Sequence, residues 1–88
     1  MPVNYEKVSE KFKALAHPAR LRIVVGLFKD ECNVAQIQKI LGLPQSTISQ
    51  HLRVLKNAGI IKGRREGTKT CYRVIDARVR KIVEIIKR

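Results

Sequence analysis

The chain is 88 residues long, 44% hydrophobic and 30% charged, with 19 Lys and Arg against 7 Asp and Glu and a formal net charge of +12. That length makes one small domain whose core covers a limited share of its surface, so a second subunit is a fair expectation before any motif is read. The composition lies outside the disordered range, and the charge points to a polyanionic partner, nucleic acid or an anionic membrane surface. An aromatic content of 5% with no Trp argues against a platform for stacking single-stranded bases.

No apolar run approaches the roughly 20 residues of a membrane span; the longest is Ile23 to Phe28. Met1-Pro2-Val3-Asn4-Tyr5 does not open a signal peptide, so a cytoplasmic protein is expected. The two cysteines, Cys32 and Cys71, make neither a disulfide framework nor a C-x-x-C motif.

In chain order, Tyr5, Val8, Phe12 and Leu15 fall on one helical stripe, ringed by Glu6, Lys7, Glu10, Lys11 and Lys13. This first helix ends near Ala16-His17, because a residue before proline is pushed out of the helical region. Pro18 suits the first turn of a second helix. Its apolar face is read as Leu21, Val24, Val25 and Phe28, assisted by Ile23 and Leu27, running to about Lys29. Asp30-Glu31-Cys32 makes a short connection, and Asn33 with Gln36 forms a capping-box pattern. The third helix carries Val34, Ile37, Ile40 and Leu41 inward and stops at Gly42. Leu43 and Pro44 then lead into a fourth helix, a spacing that reads as helix-turn-helix.

The fourth helix turns Ile48, Leu52 and Leu55 inward and ends at Gly59. Ile60-Ile61-Lys62 reads as a strand, Arg64 to Thr68 as a polar turn, and Thr70 to Val74 as the returning strand. On that strand Thr70, Tyr72 and Val74 share one face, and Lys69, Cys71 and Arg73 the other. Asp76 can cap a last helix whose stripe is Val79, Ile82, Val83 and Ile86. The expected architecture is mainly α with a small β-hairpin wing: one winged helix-turn-helix domain over residues 1–88, working as a dimer.

The polar side of the fourth helix carries the functional signal. At 3.6 residues per turn, the face opposite Ile48, Leu52 and Leu55 holds Ser46, Gln50, Arg53 and Asn57, flanked by Thr47 and Ser49. Gln and Asn can bond adenine bidentately, Arg guanine, and Ser or Thr bases or phosphate. No acidic residue lies between Gln45 and Arg65, as a helix set among phosphates requires. Gln45, Ser46, Thr47, Ser49, Gln50, His51, Arg53 and Lys56 are therefore the expected DNA contacts of this helix. In the wing, Lys62, Arg64, Arg65, Lys69 and Arg73 stand against Glu66 and suit phosphate contact or minor-groove insertion.

Several stretches resemble the ArsR/SmtB repressors. Leu15 to Ile23 looks like their "LA-P-R-x-x-I" entry to the second helix, and Ser46 to Leu52 resembles their "S-x-(V/I)-S-x-H-L" recognition helix. Leu55 with Ala58-Gly59-Ile60-Ile61, and Arg65-Glu66-Gly67 followed by Tyr72-Arg73-Val74, are similar to the family's "L-x-x-A-G-(L/I)-(V/I)" segment and wing. The resemblance implies a cytoplasmic repressor that binds an inverted-repeat operator as a homodimer. Its interface would be formed by the first and last helices, here Tyr5, Val8, Phe12, Val79, Ile82, Val83 and Ile86.

The family's metal sites do not carry over. Asn33-Val34-Ala35 stands where many members have Cys-Val-Cys, and Asp76 is followed by Ala77 and Arg78 with no His beyond His51. No metal and no cofactor are expected. A winged helix-turn-helix would bring the piece containing Cys32 beside the second wing strand, so Cys32 and Cys71 form a possible redox pair. Against it, the resemblance puts Cys32 in a slot that often holds Leu in the family, which implies a core position, while Cys71 alternates to the outward face; facing opposite ways, the two would not meet disulfide geometry.

The expected partners are double-stranded DNA and a second copy of the chain, with no membrane. A winged-helix protein-interaction module and a thiol-responsive repressor are the alternatives. No nucleophile–base pair or phosphate loop suggests an enzyme.

Overall fold

The computed structural model describes residues 2–29 and 34–87. Five helices and one hairpin follow in the order α1 (Tyr5–Leu15), α2 (Pro18–Lys29), α3 (Val34–Leu41), α4 (Gln45–Asn57), β1 (Ile61–Glu66), β2 (Lys69–Val74) and α5 (Ala77–Ile86). The expected cap at Asn33 and the connection at Asp30-Glu31-Cys32 lie outside the described residues.

Local chemistry sets most boundaries. Asn4 caps α1 by accepting the Lys7 N–H at 3.1 Å. Gly42 takes φ +65° after α3, a left-handed conformation costly for a residue with a Cβ, and so ends the helix. Asp76 caps α5: its Oδ1 accepts the N–H of Arg78 at 2.9 Å and of Val79 at 3.1 Å.

The core gathers Leu15, Ile23, Val24, Leu27, Ile37, Ile48, Leu52, Leu55, Ile60, Ile61, Val74, Val79 and Val83. α2 lies at its centre, touching α1, α3, α4, α5 and β2. This central position corrects the face read for α2: Ile23, Val24 and Leu27 are fully buried, while Leu21, Val25 and Phe28 sit at the margin. A helix enclosed on several sides has no single apolar stripe. Ile40 is a second correction, being 63% exposed. The inward direction of α3 runs between Ile37 and Leu41, and Ile40, 100° back from Leu41, falls on the open edge.

The hairpin is longer than the polar sequence suggests. β1 and β2 pair antiparallel from Ile61↔Val74 through Arg64↔Cys71 to Glu66↔Lys69. The turn is thus Gly67-Thr68 alone, with Gly67 at φ +64°. Arg64 and Arg65 belong to the ladder and not to a loop. Pairing of backbones makes the strand there, and a hairpin end with no apolar face to bury gives no hydrophobic alternation.

Candidate nucleic-acid interface

Pro44 is the N-cap of α4 and has no side-chain acceptor; its carbonyl accepts the N–H of Thr47 and Ile48, each at 3.1 Å. Ser46, Thr47 and Ser49 therefore lie inside the helix and are not its cap. With Ile48, Leu52 and Leu55 buried, Gln45, Ser46, Ser49, Gln50, Arg53, Lys56 and Asn57 are exposed. Two expected contacts are placed differently. Thr47 is half-buried, and His51 turns aside to lie against His17, ring centroids 4.6 Å apart.

All five wing cations, Lys62, Arg64, Arg65, Lys69 and Arg73, are exposed. The Arg64 guanidinium donates to Glu66 Oε1 at 2.6 Å, so the acid of the wing is engaged by its neighbour on the same strand. Between α3, α4 and the wing runs an open cleft of about 670 Å³, bordered by Gln38, Gln45, Ser49, Thr68, Lys69 and Tyr72. Gln38 could not be found from the sequence, because its place at the cleft depends on how α3 packs beside α4. Tyr72 reaches the cleft across Gly63: a Cβ at Gly63 would stand 2.9 Å from Tyr72 Cε1 and 2.9 Å from Thr70 Cγ2.

The first and last helices leave a separate apolar surface. Tyr5 and Phe12 are 78% and 56% exposed, and Ile86 is 52% exposed, with Val8 and Ile82 half-buried between them. Val79 and Val83 are corrections, since both are buried in the protomer's own core. Val3 and Ile85, not singled out from the sequence, extend the exposed apolar surface. The Lys11 ammonium pairs with Asp76 beside this surface, where Val8, Phe12 and Ile82 line a small groove.

Cys71 is a further correction. Alternation does put it on the strand face of Lys62, Arg64 and Arg73, yet it is 8% exposed and disulfide-bonded. The chain's other cysteine, Cys32, lies outside the described residues. Strand parity fixes the side a residue points to but not what covers that side. Asn33, the first residue of the Asn33-Val34-Ala35 stretch, also lies outside the described residues. Asp76 is taken up by Lys11 and two backbone amides. Among the described residues no group of three or more His, Cys, Asp or Glu is placed to hold a metal ion.

A helix-turn-helix whose second helix shows an acid-free polar face, followed by a cationic hairpin, defines a winged helix-turn-helix regulator. The chain belongs to the arsR family of bacterial regulatory proteins, whose model matches residues 17–62. It is 45% identical over 84 residues to the HTH-type transcriptional regulator MJ1325 of Methanocaldococcus jannaschii, covering 94% of each chain. It is 39% identical to the transcriptional repressor PagR of Bacillus anthracis over 96% of this chain and 85% of PagR. The PagR crystal structure superposes with a TM-score of 0.82, covering 93% of this chain and 94% of that one. The homodimeric winged helix-turn-helix DNA-binding domain of Mb0332 from Mycobacterium bovis gives 0.84 at 32% identity, over 94% of this chain and 77% of that one.

Proposed function

We propose that this chain, as one winged helix-turn-helix domain, represses transcription from the cytoplasm by binding an inverted-repeat operator as a homodimer. The observation that carries the reading is the cleft itself. Gln45 and Ser49 of α4 face Thr68 and Lys69 of the wing across it, with Ser46, Gln50 and Arg53 exposed alongside. Amide, hydroxyl and guanidinium groups on α4 suit base edges in the major groove, while the wing cations suit the flanking phosphates. The exposed apolar surface of Tyr5, Phe12 and Ile86 supports a second copy, which would set two copies of α4 about one helical turn of DNA apart. The homodimeric Mb0332 domain and the repressor PagR support the same reading by similarity. Selection of duplexes from a random library by the purified protein tests it. The expected product is a two-fold symmetric site, and recovery of unselected sequence would refute the proposal.

A further inference from the structure

The chain contains two histidines, and the fold puts them together. His17 lies at the α1–α2 junction and His51 on α4, the helix that reads DNA, with ring centroids 4.6 Å apart and planes tilted by 53°. His17 is held firmly: its Nδ1 accepts the Ala19 N–H at 3.1 Å and its carbonyl accepts the Leu21 N–H at 2.9 Å. The ring thus caps the N-terminus of α2. In the neutral ring the proton is on Nε2, so the pair does not offer two free lone pairs to one cation.

His51 faces further positive charge. Burial first, then the His17 ring and the Arg20 guanidinium, hold it below the usual imidazole range. Arg20 is itself fixed to the end of α1, its Nε donating to the Ala14 carbonyl at 2.6 Å. On the α1 side, Glu10 and Lys13 line the adjoining cleft against Val54 and Asn57 and are paired with each other at 3.6 Å. Between about pH 5.5 and 7.5 histidine is the side chain whose ordinary titration range applies. A proton arriving at His51 meets a second imidazole and a guanidinium.

We propose that the His17–His51 contact is a proton-operated joint: neutral, it seats the recognition helix against α1 and α2, and protonated, it unseats that helix and weakens operator binding. The proposal rests on α4 being the DNA-reading helix. It has a distinctive sign. A histidine that simply lay near phosphates would strengthen DNA binding on protonation, because it would add a favourable charge. A joint that must be neutral to bind loses affinity as pH falls, with a limiting slope of about tenfold per pH unit for each proton taken up.

The test uses a duplex selected by the protein at pH 7.5, with affinity measured at fixed salt from pH 7.5 to about 5 for the unaltered chain, H51Q and H17Q. Failure of the selection itself would count against the DNA reading and not against the joint. Given a selected duplex, the unaltered protein is expected to lose more than about twofold in affinity, most of it at the acid end of the range because His51 is held below the usual imidazole range. H51Q should vary by less than about twofold, whatever its affinity at pH 7.5. Thermal melting of each variant confirms folding, and if H17Q does not fold, H51Q alone decides. Affinity that is flat or rises toward acid in the unaltered chain, or the same loss in H51Q, would overturn the proposal.

Discussion

Lys11 of α1 is ion-paired with Asp76, the residue that caps α5, so one carboxylate joins the two terminal helices and starts the second of them. The Asp76 side chain is 7% exposed, and the pair stands beside the apolar groove of Val8, Phe12 and Ile82.

Burial alone would push the Asp76 carboxyl upward. The Lys11 hydrogen bond, the Val79 N–H, the Lys11 charge and the Arg78 N–H more than offset this and hold it below the usual carboxylate value. A carboxylate with a depressed folded pKa contributes stability above its unfolded pKa, about 4, and loses it as pH falls through the folded value. Asp76→Ala should therefore cost about 2 kcal/mol at pH 7, combining a missing cap with a part-buried ammonium left unpaired. Urea midpoints for the parent and Asp76→Asn should differ at pH 7 and converge below pH 4. A constant gap across that range would refute the assignment.

Phe12 gives a cleaner probe of the subunit interface than the valines of α5. It is 56% exposed, so Phe12→Glu should leave the folded protomer nearly unaffected. In a dimer it would bury a charge against apolar neighbours. Sedimentation should show a monomer, and operator affinity should fall by about 10²-fold or more as the two half-sites cease to be bound together. Val83→Asp should instead unfold the chain, since Val83 is 1% exposed within its own protomer. A Phe12→Glu chain that still sediments as a dimer would place the interface elsewhere.

The sequence was legible where one local rule sufficed. Helix ends were carried by Pro18, Gly42, Gly59 and Asp76, and the inward side of α4 by the spacing of Ile48, Leu52 and Leu55. It failed where a residue's environment is supplied by a distant segment. The stripe of α5 mixes Val79 and Val83, which pack into the protomer, with Ile82 and Ile86, which border its open surface, and periodicity makes no such division. Cys71 points to the expected side of its strand yet is buried there. His51 belongs to the recognition motif in sequence but meets His17, 34 positions earlier, only through the crossing of α4 over the α1–α2 junction. Gln38 reaches the cleft in the same indirect way.

The two parts of the interface should respond differently to mutation. Gln50 and Arg53 are exposed on α4 with acceptor and donor groups suited to base edges. Gln50→Ala or Arg53→Ala should cost about 1–3 kcal/mol on the selected duplex and relax preference at particular base pairs. Arg65, paired in the ladder with Thr70 and exposed, suits phosphate. Arg65→Ala should weaken binding about equally across sequences and lower the salt slope by about one for each phosphate no longer neutralised. Competition binding at several salt concentrations separates the outcomes. Loss of base preference in Arg65→Ala, with Gln50→Ala and Arg53→Ala unaffected, would reverse the roles given to helix and wing.

Gly63 tests whether the wing's shape matters as well as its charge. It pairs with Tyr72 in the ladder, and an added Cβ would lie 2.9 Å from both Tyr72 Cε1 and Thr70 Cγ2. Both neighbours branch close to the backbone of β2 or are rigid, so neither can yield as the free end of a long side chain would. Gly63→Ala should destabilise the chain by about 1–3 kcal/mol through overpacking. Tyr72 borders the cleft facing α4, so displacing its ring should also shift the wing relative to the recognition helix. Adding Tyr72→Ala to Gly63→Ala removes one of the two obstructing groups, and the pair should cost less than the sum of the single changes. Strict additivity in denaturant unfolding would show that the ring does not occupy the space over Gly63.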